Sequence, residues 1–188
     1  MNTFQKKYDH ATIALRRAKL LYNEFCILFE DDKNLEILRL GAKNFFGLLF
    51  DELQDSILIK LCKLTDNTKQ KQNTNLTAEY FLKQEILLKN QAYQDIKNIY
   101  YNEVIPARNK VNEYRNKYMA HSDYQKMITL DGTRPSLNEI KDLLESLEKY
   151  FGEISIHCLG VTDFFRGPTP LYCGLGYLVQ LLDSANSG

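Results

Sequence analysis

Apolar residues recur in this chain at alternating intervals of three and four, and a run of that period belongs to one face of an α-helix. The first run is Phe4, Tyr8, Ala11, Leu15, Ala18, Tyr22, Phe25 and Phe29, with Thr3 or Asn2 placed to cap it. A second helix is expected after residues 31–34. It carries Leu38, Ala42, Phe45, Leu49, Leu53, Ser56 and Leu64, flanked by Phe46, Phe50, Ile57 and Leu61. So wide a stripe marks it as the central, most buried helix. Residues 66–75 are polar and aperiodic, hence a loop, and Thr77 then caps a short helix holding Tyr80, Phe81, Leu82, Ile86, Leu87 and Leu88. From Lys97 a strict alternation runs through Tyr100, Val104, Ala107, Val111, Tyr114, Tyr118 and His121, the spacing of a bundle seam. Pro106 lies inside that run and is expected to kink it, because its ring removes a backbone donor and crowds the preceding turn. After the Asp131-Gly132 turn, Ser136-Leu137-Asn138-Glu139 reads as a capping box. The helix it opens packs Leu137, Ile140, Leu144, Leu147, Phe151, Ile154, Cys158 and Val161, and ends at Gly167-Pro168 at the latest.

With 9 Gly and 4 Pro among 188 residues, there is too little turn chemistry for a sandwich or barrel of short strands. The expected fold is therefore all-α: an up-and-down bundle of four long helices plus a short helix, one domain over residues 1–188, with residues 171–188 as a docked C-terminal segment. The first ten residues lack the apolar core of a signal peptide, and no stretch reaches the roughly 20 apolar residues that span a bilayer. A cytoplasmic location with no membrane contact is the expectation. Cys26, Cys62, Cys158 and Cys173 are widely spaced and read as reduced core residues, and the adjacent pair His157-Cys158 suits no chelate on one helix face. Neither a protein-bound metal nor a cofactor is expected.

Lys and Arg number 24 against 24 Asp and Glu, so any contact with nucleic acid has to be local rather than a coating of the whole surface. Nucleophile elbows, phosphate loops, dinucleotide fingerprints and zincin helices are all missing from the sequence. What stands out is the polarity of the seam helix. Residues 108–117 hold four bases, Arg108, Lys110, Arg115 and Lys117, against the single acid Glu113, and His121 occupies a seam position that calls for an apolar residue. Arg108 and Arg115 are a heptad apart on one edge of the seam. Residues six apart on a straight helix differ by about 240° and roughly 9 Å, so Arg115 and His121 converge poorly within one chain. Across a twofold axis, two copies of the helix would bring both pairs into one cleft.

The string Arg115-Asn116-Lys117-Tyr118-Met119-Ala120-His121 resembles the Arg-x(4–6)-His signature of the HEPN superfamily, small helical domains whose commonest motif begins Arg-Asn. Two further steps resemble its AbiU-type abortive-infection branch: Leu64-Thr65-Asp66 closing the second helix and Ala120-His121-Ser122-Asp123 closing the fourth. That branch often has Arg ahead of Leu-Thr-Asp, where this chain has Lys63. The resemblance implies a metal-independent endoribonuclease that works as a homodimer in toxin–antitoxin or antiphage defence. Attack of a 2′-hydroxyl on the neighbouring phosphate would leave a 2′,3′-cyclic phosphate. On that reading His121 is the general base or acid, Arg115 forks onto the phosphate, and Asn116 orients one or the other. Arg108, Lys110 and Lys117 would hold flanking phosphates, Tyr118 or Tyr114 would stack a base, and Asp66 and Asp123 would fix rotamers behind them. The implied partners are RNA, a second copy of the chain and a nucleotidyltransferase-like antitoxin.

Plainer roles compete with each assignment. Arg115 can pair with Asp66 or Glu113, His121 and Asn116 can cap a helix, the lysines can be a solvated face, and the tyrosines can be core. Two other functions therefore stand beside the ribonuclease: a HEPN module that binds RNA or nucleotide without cleaving it, and a helical scaffold.

Overall fold

The computed structural model describes residues 3–70, 72–114, 134–162 and 174–186. The fold is all-α, as the periodicity predicts. In chain order the helices are α1 (Thr3–Phe29), α2 (Asp32–Thr65), α3 (Ala78–Leu82), α4 (Glu85–Leu88), α5 (Tyr93–Ile99), α6 (Ile105–Tyr114), α7 (Leu137–Ile154) and α8 (Leu175–Asn186). Single π-helical turns follow α5 at Tyr100–Val104 and α7 at Ser155–Leu159. The polar loop contains a minimal antiparallel ladder, β1 (Lys69–Gln70) with β2 (Asn73–Thr74). Two compact units are distinguished, Met1–Arg16 with Leu58–Phe164, and Arg17–Ile57 with Phe165–Gly188.

The first unit is built on an aromatic cluster. Phe81 meets Phe4, Tyr8 and Phe151 edge-on, with ring centroids 5.8, 6.1 and 5.6 Å away. Phe151 continues to Tyr150 at 5.3 Å and Tyr150 to Tyr100 at 5.7 Å. Buried phenols need partners, and two of them reach backbone carbonyls: Tyr8 donates to Phe151 at 2.7 Å and Tyr150 to Ala78 at 2.9 Å. These bonds tie α1 to α7 and α7 to α3. The capping box is present, with Ser136 Oγ accepting from the Glu139 N–H and the Glu139 carboxylate accepting from the Ser136 N–H. α7 then buries Ile140, Leu144, Leu147, Phe151 and Ile154 on one face.

Burial also shapes the response to alkali. It holds the phenols of Tyr8 and Tyr150 well above their ordinary range and pushes Tyr100 up to about 12, an effect that Glu79 reinforces and Arg108 opposes. Above pH 10 the unfolded chain has lost phenolic protons that the native chain retains, so stability is intact below that pH and falls as pH rises. Circular dichroism between pH 9 and 12 will show this loss, and Tyr100→Phe, which keeps the ring but cannot ionise, will make it shallower. An identical alkaline transition in both chains would refute the assignment to Tyr100.

In the second unit, Leu28, Ile37, Leu38, Phe46 and Val179 form a buried cluster, so the C-terminal helix α8 docks there as expected, with Lys33 and Asp183 at 3.2 Å beside it. α2 opens on Asp31, whose carboxylate accepts from the Asn34 N–H at 3.0 Å.

Three expectations need correction. α2 is not buried along its whole length: Leu40, Phe45 and Leu48 are 72%, 58% and 68% exposed, whereas Ile57, Leu58, Leu61 and Cys62 are fully enclosed. Ala42 interrupts the helix with φ −157° and ψ 65°, so the apolar stripe does not continue on one face across that point. The expected short helix is two, α3 and α4, and Thr77 stands at the N-cap of α3 without a capping bond; its hydroxyl pairs with that of Thr68 at 3.0 Å. Val161 does not pack with the fifth helix, which ends at Leu159, inside the limit set by Gly167-Pro168: Gly160 takes the left-handed conformation at φ 68° and the Val161 N–H turns back to the Ser155 carbonyl. Val161 is consequently exposed.

Candidate nucleic-acid interface

α6 is reached through a widened turn. A proline ring at position 106 crowds the carbonyl four residues back, on Asn102. The π turn answers that crowding locally: the Ile105 N–H bonds to the Tyr100 carbonyl, five residues back, and the helix resumes as α-helix through Pro106. The seam survives the register change. Tyr100, Val104, Ala107, Val111 and Tyr114 are all buried, against α7 on the other side.

Of the residues singled out from sequence, Arg108, Lys110, Tyr114 and Asp66 are described, and Tyr114 is buried in the seam rather than open to stack a base. Arg115, Asn116, Lys117, Tyr118, His121 and Asp123 lie outside the described residues. Arg108 and Lys110 stand on α6, two and four positions past Pro106. The Lys110 ammonium is half in solvent and 4.0 Å from Asp142 on α7, a surface pair of little energetic weight that a phosphate can displace. It lines a groove of about 430 Å³ that also holds Glu103, Asp142, Glu145 and Lys149. Glu103 and Lys149 close on each other there at 2.6 Å. Leu64 and Thr65 are buried at the end of α2, where the Thr65 hydroxyl donates to the Leu61 carbonyl at 3.0 Å. Asp66 follows with its N–H bonded to the Cys62 carbonyl.

Two residues beyond the sequence reading belong to this surface. The Nε of Arg108 and the Oδ1 of Asn112 are both buried without a hydrogen-bond partner among the described residues. They are one helical turn apart on α6, so an unpaired donor and an unpaired acceptor share a face. Asn112 also stands three positions before Arg115, and that i, i+4, i+7 spacing was the available signal for it. The second residue is Arg134, whose Nε donates to the Tyr114 hydroxyl at 2.8 Å while its guanidinium carbon lies 6.0 Å from the centre of the Tyr114 ring. Arg134 adds a cation at the end of α6, one residue before Arg115, from a position twenty residues away in the chain. Nothing local in its sequence announces that contact.

Among the described residues no three His, Cys, Asp or Glu side chains converge as a metal site. No described helix is long and apolar enough to cross a membrane. Cys26, Cys62 and Cys158 form no disulfide among the described residues, and burial raises the pKa of Cys158.

The fold is all-α, and the seam helix is described through Tyr114, the residue before the Arg115-Asn116-x(4)-His121 string. The chain belongs to the AbiU2 family of the HEPN superfamily, whose family model matches residues 1–167 and so spans all the helices up to α7 together with the motif. Membership makes it an abortive-infection-associated HEPN module. No curated protein and no solved structure matches the chain.

Proposed function

We propose that this chain is a metal-independent endoribonuclease that acts as a homodimer, held in check by a nucleotidyltransferase-like antitoxin. The observation that carries the reading is the Arg115-Asn116-x(4)-His121 string within the matched span of an abortive-infection HEPN family. The side chains suit the chemistry. His121 of one subunit takes the 2′-hydroxyl proton as the 2′ oxygen bonds to phosphorus. The 5′ oxygen leaves with a proton from the partner subunit's His121, giving a 2′,3′-cyclic phosphate and a 5′-hydroxyl. Arg115, permanently charged, stabilises the phosphorane oxygens, and Asn116 orients the imidazole or the phosphate. Lys110, Lys117 and Arg108 hold flanking phosphates, Tyr118 stacks a base, and Asp66 and Asp123 set rotamers. The Arg108 Nε and Asn112 Oδ1, unpaired among the described residues, suit a polar ligand on that face of α6.

Purified protein incubated with structured RNA in EDTA will produce cyclic phosphate ends. Arg115→Ala and His121→Ala chains will each be inactive, and mixed together they will recover little activity, because the heterodimer holds one His121 where this mechanism uses two. Equal residual cleavage by all the chains would reject the enzyme, and binding without cleavage would leave an RNA-binding module. Asn112→Leu separates ligand binding from packing. Removing an unpaired acceptor should leave the melting temperature unchanged or raised, while RNA cleavage falls about tenfold. A drop in both together would mean that Asn112 is structural.

A further inference from the structure

We propose that the second unit carries a binding pocket for a small aromatic anion, formed where the end of α1 faces the first turns of α2. A cavity of about 390 Å³ opens there, within the size range of small-molecule sites. Its apolar walls include Phe29, Phe46, Phe50 and Leu38, and Arg39 and Lys43 line it as well. Phe29 and Phe50 meet edge to face at 5.1 Å, and both lean on the enclosed ring of Phe25, 5.0 and 4.9 Å away. The aromatic wall is therefore braced from behind and keeps its shape without an occupant. Half-buried rings around an open cavity leave apolar surface that a flat apolar body would cover.

The charge on the lining decides the other half of the ligand. Arg39 and Lys43 make no ion pair or hydrogen bond with any described residue, whereas Lys33 near the start of the same helix is paired with Asp183. Two like charges facing one cavity repel each other, and an anionic group set between them replaces that repulsion with two charge-assisted contacts. The break at Ala42 falls between them, yet both line the same cavity. Ring-shaped apolar bulk with a carboxylate, sulfonate or phosphate at its edge meets both demands. This site lies in the other unit from Arg108 and Lys110, and the proposal does not depend on ribonuclease activity.

Gly47 supplies a clean test. It lines the cavity, and a Cβ added there meets nothing within 4 Å, so a larger residue can fill the space without a backbone clash and with better helix propensity. The probe is 1-anilinonaphthalene-8-sulfonate, followed by fluorescence and compared with its uncharged relative N-phenyl-1-naphthylamine. Wild-type protein will bind one sulfonate per chain saturably. Gly47→Leu will abolish binding of both dyes while keeping the helical circular dichroism and the melting temperature. Arg39→Gln with Lys43→Gln will weaken the sulfonate about tenfold and leave the neutral dye within about twofold. Undiminished dye binding by Gly47→Leu, many dyes per chain, or equal loss of both dyes in the double variant would overturn the proposal. The first two of those results would place the dye on loosely packed surface instead.

Discussion

On the proposed mechanism, His121→Ala will lower the rate of RNA cleavage in EDTA by about 10²–10⁴-fold, the range that a positioned general acid or base contributes. In a symmetric dimer the substitution removes both the base that takes the 2′-hydroxyl proton and the acid that protonates the leaving oxygen, so the upper part of that range is expected. Two signatures separate this from a mere loss of folding. The variant keeps its far-ultraviolet circular dichroism and its affinity for RNA. The wild-type rate also depends on pH with a bell-shaped profile, as one imidazole must be neutral while the other is protonated. A variant that still cleaves at a tenth of the wild-type rate, or a wild-type profile that is flat between pH 5 and 8, would remove His121 from the chemistry. Arg115→Lys is the companion measurement: a point charge replaces a planar fork, and most of the rate is lost even though the charge is kept.

Phe151→Ala destabilises the protein by about 3–5 kcal/mol, which for a chain of this size lowers the melting temperature on the order of 10 °C. Phe151 is completely enclosed and its ring meets those of Tyr8, Phe81 and Tyr150, so truncation leaves a cavity bounded by three rigid groups that cannot close around it. The Tyr8 hydroxyl keeps its acceptor, because that bond goes to the Phe151 backbone carbonyl. The loss is thus one of packing and transfer, with little from hydrogen bonding. A shift below about 2 °C would show that the aromatic cluster relaxes freely and is not the core of its unit.

The helical class, the seam from Tyr100 to Tyr114 and the capping box at Ser136 were all legible in the sequence, since each is dictated by spacing within a few turns of one segment. The motif was legible for a different reason: its residue types are written side by side, and the family match spans them. What escaped depends on longer reach or on backbone detail. The stripe on α2 looked continuous because apolar residues occur on several sides of Ala42, and periodicity alone does not register a single residue leaving helical geometry. The sequence bounded the end of the last long helix at Gly167-Pro168, and which residue closes it is a matter of backbone φ: Gly160, left-handed at φ 68°, does so. Asn112 passed as an ordinary polar residue of a helix despite its i, i+4, i+7 spacing with Arg108 and Arg115, and burial of its oxygen without a partner among the described residues sets it apart. The cavity beside Arg39 and Lys43 escaped because its walls come from two helices whose facing residues are not neighbours in any local pattern.

The hydrogen bond from Arg134 to Tyr114 turns a long detour of the chain into a short circuit. Counted along the polypeptide, Arg134 is remote from the start of the Arg-x(5)-His string; counted through space, it is one side chain from the residue before it. Tyr114 and Arg134, the described residues that bracket the string in sequence, are therefore joined by a single side-chain contact. Variation at the mouth of α7 then bears on the motif as directly as variation on α6, and a map of activity-altering substitutions for this protein should show two separate sequence clusters converging on one spot.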